Sequence, residues 1–148
     1  MAQLTERTAL NHLIETCTDA ARGFRSAADH VHDDRLRSFF TEMAEQREQF
    51  AGALLPHAQR LGGDAPTDGT RAAALHRGWI DLKSRMSGHD DRAVLAEAAR
   101  GDGVTLHVFK DAVEGMLPPE VRDLIETQFE EITAEHTRIA NFYPRSGI

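Results

Sequence analysis

Apolar residues recur three and four positions apart along four long stretches of the chain, a spacing that restricts each stretch to an α-helix with one buried stripe. The first stripe is Leu10, Leu13, Ile14, Cys17, Ala20, Ala21, Phe24, Ala27, Ala28 and Val31. The second is Leu36, Phe39, Phe40, Met43, Phe50, Leu54 and Leu61. The third is Leu95, Ala98, Thr105, Phe109, Ala112 and Met116, and the fourth is Val121, Ile125, Ile132, Ile139 and Phe142. No stretch shows the strict alternation that a half-buried strand needs.

Proline and glycine mark where the stripes break, at Leu61–Gly69, Ser87–Asp91, Leu117–Pro119 and Pro144–Gly147. Asp33 or Asp34 can cap helix B, Gly62 and Gly63 suit its end, and Asp90 or Asp91 can start helix C. Pro119 suits the first turn of helix D. Between helices B and C, Thr70 can cap a shorter helix with the stripe Leu75, Trp79, Leu82 and Met86, ended by Gly88. The predicted helices are therefore about 5–31, 35–61, 71–87, 91–116 and 119–142. Short A–B and C–D links make antiparallel pairs, while the long B–C link must travel the length of the bundle. That connectivity predicts an all-α, ferritin-like up-down four-helix bundle whose crossover carries an extra helix lying against it. At 148 residues the chain is expected to form one domain, 1–148, with a core large enough to need no staples.

Charge and cysteine count narrow the function. With 17 basic and 24 acidic residues the formal charge is −7, which disfavours nucleic acid and anionic membrane surfaces as partners. Cys17 is the single cysteine, so no intrachain disulfide can form, and a reducing cytoplasm is expected. The start, MAQLTERTAL, lacks the basic and apolar regions of a secretory signal, and no apolar run approaches the ~18 residues of a membrane helix.

Polar residues interrupt the stripes at one level. Arg47 falls between Met43 and Phe50 on the apolar face of helix B, Asp102 between Leu95 and Phe109 on helix C, and Gln128 and Glu135 between Val121 and Phe142 on helix D. His136 flanks that face. Counted from the shared ends at ~1.5 Å per residue, Arg47, Asp102, Glu135, His136 and Cys17 lie at similar depth, and Gln128 lies about two turns away. Three readings stand open for this layer. A structural salt bridge would pair Arg47 with Asp102, Glu135 or both, since a buried guanidinium needs carboxylates. A metal site would use Asp102, Glu135 and His136, with Glu97 as the nearest further acid, and would suit iron, manganese or zinc. A crevice or oligomer interface would expose some of these groups. Against metal stand the fixed cation Arg47, the lack of any Glu-x-x-His, and the outward direction of Glu15 and Asp19 on helix A. Gly101 and Gly103 flank Asp102 inside helix C, where a close approach or a bulge is one reading and tolerated glycine the other.

Other candidates are local. His12 and Glu15 share the outer face of helix A, as a solvated pair or a contact with the crossover helix. Asp29, His30, His32, Asp33 and Asp34 cluster at the A–B turn, where capping is the simpler use. His107 and Asp111 make a surface pair, Cys17 reads as a buried inert thiol, and Trp79 as the anchor of the crossover helix. No phosphate-binding glycine loop, serine elbow or CxxC is present.

Several blocks carry a resemblance: Leu10–Cys17 (LNHLIETC), Gly23-Phe24 with Ala27-Ala28, Glu45–Arg47 (EQR) with Phe50, Leu61–Gly63 (LGG), Leu75–Lys83 (LHRGWIDLK), and Gln128 and His136. The chain resembles, over nearly its whole length, the ferritin-like four-helix-bundle family carrying domain of unknown function 2383. The resemblance implies a bacterial protein and, by ancestry, a metal site. In helix C the family's run looks like Glu-x-Glu-Arg-Gly-Glu-Asp, whereas this chain has Glu97-Ala98-Ala99-Arg100-Gly101-Asp102-Gly103. Two acids are gone and one is shortened, so any ligands they supply in relatives are lost here.

The sequence thus predicts a non-enzymatic, structural or stress-related bundle with a core network of Arg47, Asp102, Gln128, Glu135 and His136 and no cofactor. The alternative is a metalloprotein holding iron or manganese on Asp102, Glu135, His136 and Glu97. A homo-oligomer, such as a dimer paired along a helical face, is expected in either case.

Overall fold

A computed structural model of the chain describes residues 2–62, 90–115 and 117–143. Among them are four helices and no strand: α1 (Ala2–His30), α2 (Asp34–Arg60), α3 (Asp91–Glu114) and α4 (Pro119–Ala140). The crossover helix predicted over 71–87 lies outside the described residues. All four helices end one or two residues before the periodicity predicts, α1 at His30 and α2 at Arg60 by one residue each. Helix α3 stops at Glu114, because Gly115 leaves the helix with an extended backbone, and α4 stops at Ala140 rather than Phe142.

Caps explain the starts. Asp33 accepts from the backbone N–H of Arg35 at 2.8 Å and Leu36 at 3.4 Å, filling two of the donors a helix start leaves open. Asp90 does the same for Ala93 at 2.9 Å, while α4 has no side-chain cap and begins at Pro119. Gly62 carries φ 110°, a left-handed conformation that ends α2, and Arg7 of α1 reaches over to bond its carbonyl at 3.2 Å.

Contacts at the ends fix the helix directions. The Asp91 carboxylate accepts from the backbone N–H of His32 (2.8 Å) and Asp33 (2.7 Å), so α3 starts at the α1–α2 link. The Tyr143 hydroxyl donates to Asp33 at 3.1 Å, and the Phe142 ring stacks on Phe39, so α4 finishes at that same end. Hence α1 and α4 run one way, and α2 and α3 the other. Helix α1 packs against both α2 and α3, α3 packs against α4, and α2 meets α4 more sparsely, which leaves α2 and α3 across the diagonal of the core.

The apolar side chains form two clusters. One holds Phe24, Phe40, Met43, Val94 and Ile139, towards the α1–α2 link. The other holds Leu10, Cys17, Leu54, Phe109 and Ile125, towards the opposite end. Each fully buried leucine or phenylalanine contributes roughly 1.5–3 kcal/mol. The gap between the clusters lies at residues 44–50 of α2, 98–109 of α3 and 132–139 of α4.

Candidate functional site

Polar side chains fill that gap. Arg47 and Asp102 both have no exposed surface. The Arg47 guanidinium donates through one terminal nitrogen to both Asp102 oxygens, at 3.0 and 3.2 Å. Its other terminal nitrogen donates to Glu135 at 3.2 Å and to the side-chain oxygen of Gln46. The rings of Phe24 and Phe50 hold the guanidinium carbon at 5.6 and 5.9 Å from their centroids. A guanidinium desolvated this far gains from aromatic faces as well as from charge. Phe50 lies one turn along α2 from Arg47, which places its ring beside the guanidinium.

One guanidinium faces two carboxylates, which leaves the layer one negative charge in excess. His136 stands where it can supply the missing cation. Its Nδ1 is 3.6 Å from Asp102, an ion-pair rather than a hydrogen-bond distance, and its side chain is partly exposed. The Asp102 carboxylate raises the His136 pKa above its ordinary value of 6.5, against the opposing effect of burial. Glu135 is also raised from its ordinary value, first by burial, with the pull of Arg47 acting the other way. The Cys17 thiol is pushed up to about 12, mainly by burial, so it stays protonated and unreactive.

The remaining sequence candidates fall as follows. Gln128 is buried but outside the layer, donating to the Phe50 carbonyl at 3.4 Å. Glu97 pairs with Arg100, one turn along α3. Helix α3 continues unbroken through Gly101 and Gly103, with no bulge. A Cβ at Gly103 would sit 3.9 Å from His136 Cε1, an ordinary contact, so that glycine is not demanded by a tight approach. At the α1–α2 link, Asp33 is used as a cap, Asp34 pairs with Arg37, and His30 Nδ1 lies 2.7 Å from the Ser26 carbonyl oxygen. His107 pairs with Asp111 at 3.4 Å on the surface.

Spacing alone does not point to Gln46 as a partner of Arg47, nor to the two rings beside it. Gln46 precedes Arg47 and lies off the stripe, so no periodicity points to it. In the stripes Phe24 and Phe50 read simply as core.

As a metal centre the layer fits poorly. Both Asp102 oxygens are engaged by the guanidinium, which holds a positive charge between Asp102 and Glu135. Among the described residues no group of three or more His, Cys, Asp or Glu is arranged to hold a metal ion. Also among them, no helix is long and apolar enough to cross a membrane.

Compared with known proteins, residues 5–115 match the family model described as Domain of unknown function (DUF2383). No curated protein and no solved structure matches the chain.

Proposed function

Since the chain belongs to the DUF2383 family by a match over residues 5–115, we propose that it is a ferritin-like bundle without catalytic activity. In it an Arg47–carboxylate layer occupies the level where a di-metal bundle holds its ions. The observation that carries this reading is the wholly buried guanidinium bonded to Asp102 and Glu135 from two other helices. Metal-binding bundles aim carboxylates and imidazoles inward from facing helices. Here the inward acids from α3 and α4 meet an arginine instead, and α1 brings Cys17 to the level, protonated. The helix directions, with one long link between α2 and α3, support the ferritin-like connection.

The role is structural or stress-related, in the cytoplasm, in a chain that pairs with further copies of itself. Carboxylates tied to a guanidinium are unavailable as general acid or base, and the one thiol is inert. The test is metal content. Protein from cells grown with iron or manganese should pass gel filtration without stoichiometric metal. Its melting temperature should not move on adding Fe(II), Mn(II) or Zn(II). A retained stoichiometric ion would overturn the reading in favour of a site on Asp102, Glu135, His136 and Glu97.

A further inference from the structure

Helices α1, α2 and α4 separate at the bundle end opposite the α1–α2 link. There α2 stops at Arg60, α4 starts at Pro119, and the two meet sparsely. A cavity of about 530 Å³ opens between them and α1. Leu10 and Val121, both almost wholly buried, and Leu61 give it an apolar floor. His57, Arg60 and Glu120 give it a polar rim. A cavity of this size, apolar inside with a few polar groups at its mouth, has the make-up of a small-molecule site.

The charges on the rim do not meet. Arg60 and Glu120 are exposed, opposite in sign, and line the same cavity. Yet among the described residues neither forms a salt bridge, with the other or with any other group. Arg122, two residues along α4 from Glu120, pairs with Glu126 instead. The Arg60 guanidinium donates to Nδ1 of His57, one turn back on α2. Burial first, and then Arg60, lower the His57 pKa below its ordinary 6.5, so the imidazole is neutral at neutral pH and accepts that bond. His57 thereby steadies the guanidinium at the rim without neutralising it. Glu120 is held opposite, in the first turn of α4.

We propose that this cavity binds a free apolar α-amino acid, such as leucine or phenylalanine. Its carboxylate meets Arg60, its ammonium meets Glu120, and its side chain lies on Leu10, Leu61 and Val121. A zwitterion with an apolar chain satisfies a separated cation and anion above an apolar floor. A fatty carboxylate would leave Glu120 facing its head group, and an alkyl amine would leave Arg60 in the same position. Charge-assisted hydrogen bonds at both ends fix the orientation. Leu10 lies two turns of α1 from Cys17, so the site stands apart from the Arg47 layer.

Calorimetric titration of the full-length protein with L-leucine and L-phenylalanine tests this. At least one should bind. Its deaminated acid and its amide, each lacking one charge, should bind about tenfold more weakly or worse, the scale of a lost charge-assisted hydrogen bond. Arg60→Gln and Glu120→Gln, both at exposed positions, should each weaken binding of the amino acid as much. Glu45→Gln, exposed elsewhere on α2, should leave it unchanged. No binding of either amino acid at millimolar concentration would overturn the proposal. Equal binding of the deaminated acid or the amide would overturn it too, as would unchanged binding in either Arg60→Gln or Glu120→Gln.

Discussion

Arg47 of α2 and Asp102 of α3 meet across the diagonal of the bundle, with the guanidinium 3.0 and 3.2 Å from the two carboxylate oxygens and neither side chain exposed. The two helices share little direct packing, so this ion pair and the side chains around it join them through the core. It also sits in the gap between two apolar clusters that would otherwise be one. Ion pairs of this kind are costly to bury and more costly to break, and the first prediction rests on that asymmetry.

Asp102→Ala leaves the buried Arg47 with Glu135 as its one carboxylate partner. The expected loss of stability is about 3–5 kcal/mol, the usual cost of orphaning one partner of a buried pair. The double variant Arg47→Met/Asp102→Leu removes both charges and should recover most of that loss. Urea denaturation of the three proteins measures the coupling, and additive effects would show that the two residues do not act together.

The pH dependence has a definite sign. His136 has a raised pKa in the folded protein, so its contribution is complete below its ordinary value of 6.5 and fades as pH rises through the folded value. Glu135 is raised too, so its contribution is complete below 4.5 and fades in a lower window. Asp33 is lowered and acts oppositely, losing its contribution only as pH falls below its ordinary value of 3.8. Stability should therefore fall as pH rises above 6.5, through the raised value of His136. His136→Gln should flatten that slope, and an unchanged slope would remove His136 from the layer's charge balance.

Most of this layer could be read from residue spacing, for a physical reason. A charge on the centre of an apolar stripe has nowhere to go but inward, so Arg47 and Asp102 stand out in their helices. Depth along a helix is set by residue count, which put Arg47, Asp102 and Glu135 within reach before any contact was known. Gln46, Phe24 and the Asp91 carboxylate, which binds the backbone of His32 and Asp33, were not legible. Those contacts depend on rotamers and on how two helix ends approach, neither of which leaves a period. Of the two readings open for the glycines beside Asp102, tolerance fits Gly103, where the space admits a methyl group.

Gly103→Ala should therefore stabilise the protein, by up to about 1 kcal/mol, the helix-propensity difference between the two residues. Gly62→Ala should do the opposite, since φ there is 110° and a Cβ would lie 2.6 Å from an Arg7 nitrogen. Thermal melts of the two variants should move in opposite directions.

Cys17 should resist modification. With its pKa near 12 and no exposed surface, the native thiol should react with a disulfide reagent only through unfolding. Its labelling rate should follow the global stability of the protein, rising in Asp102→Ala. Rapid labelling of the folded protein would contradict the burial of this part of the core.

The claim that Arg47 is the structural centre of the bundle is tested most directly by the denaturation midpoint of Arg47→Met. Without its cation the core holds Asp102 and Glu135 with only the partly exposed His136 to offset their charge, and a loss of about 3–5 kcal/mol is predicted. A midpoint equal to wild type would contradict the account, and one raised by Fe(II) or Mn(II) to wild type or above would show a metal site that the arginine merely fills.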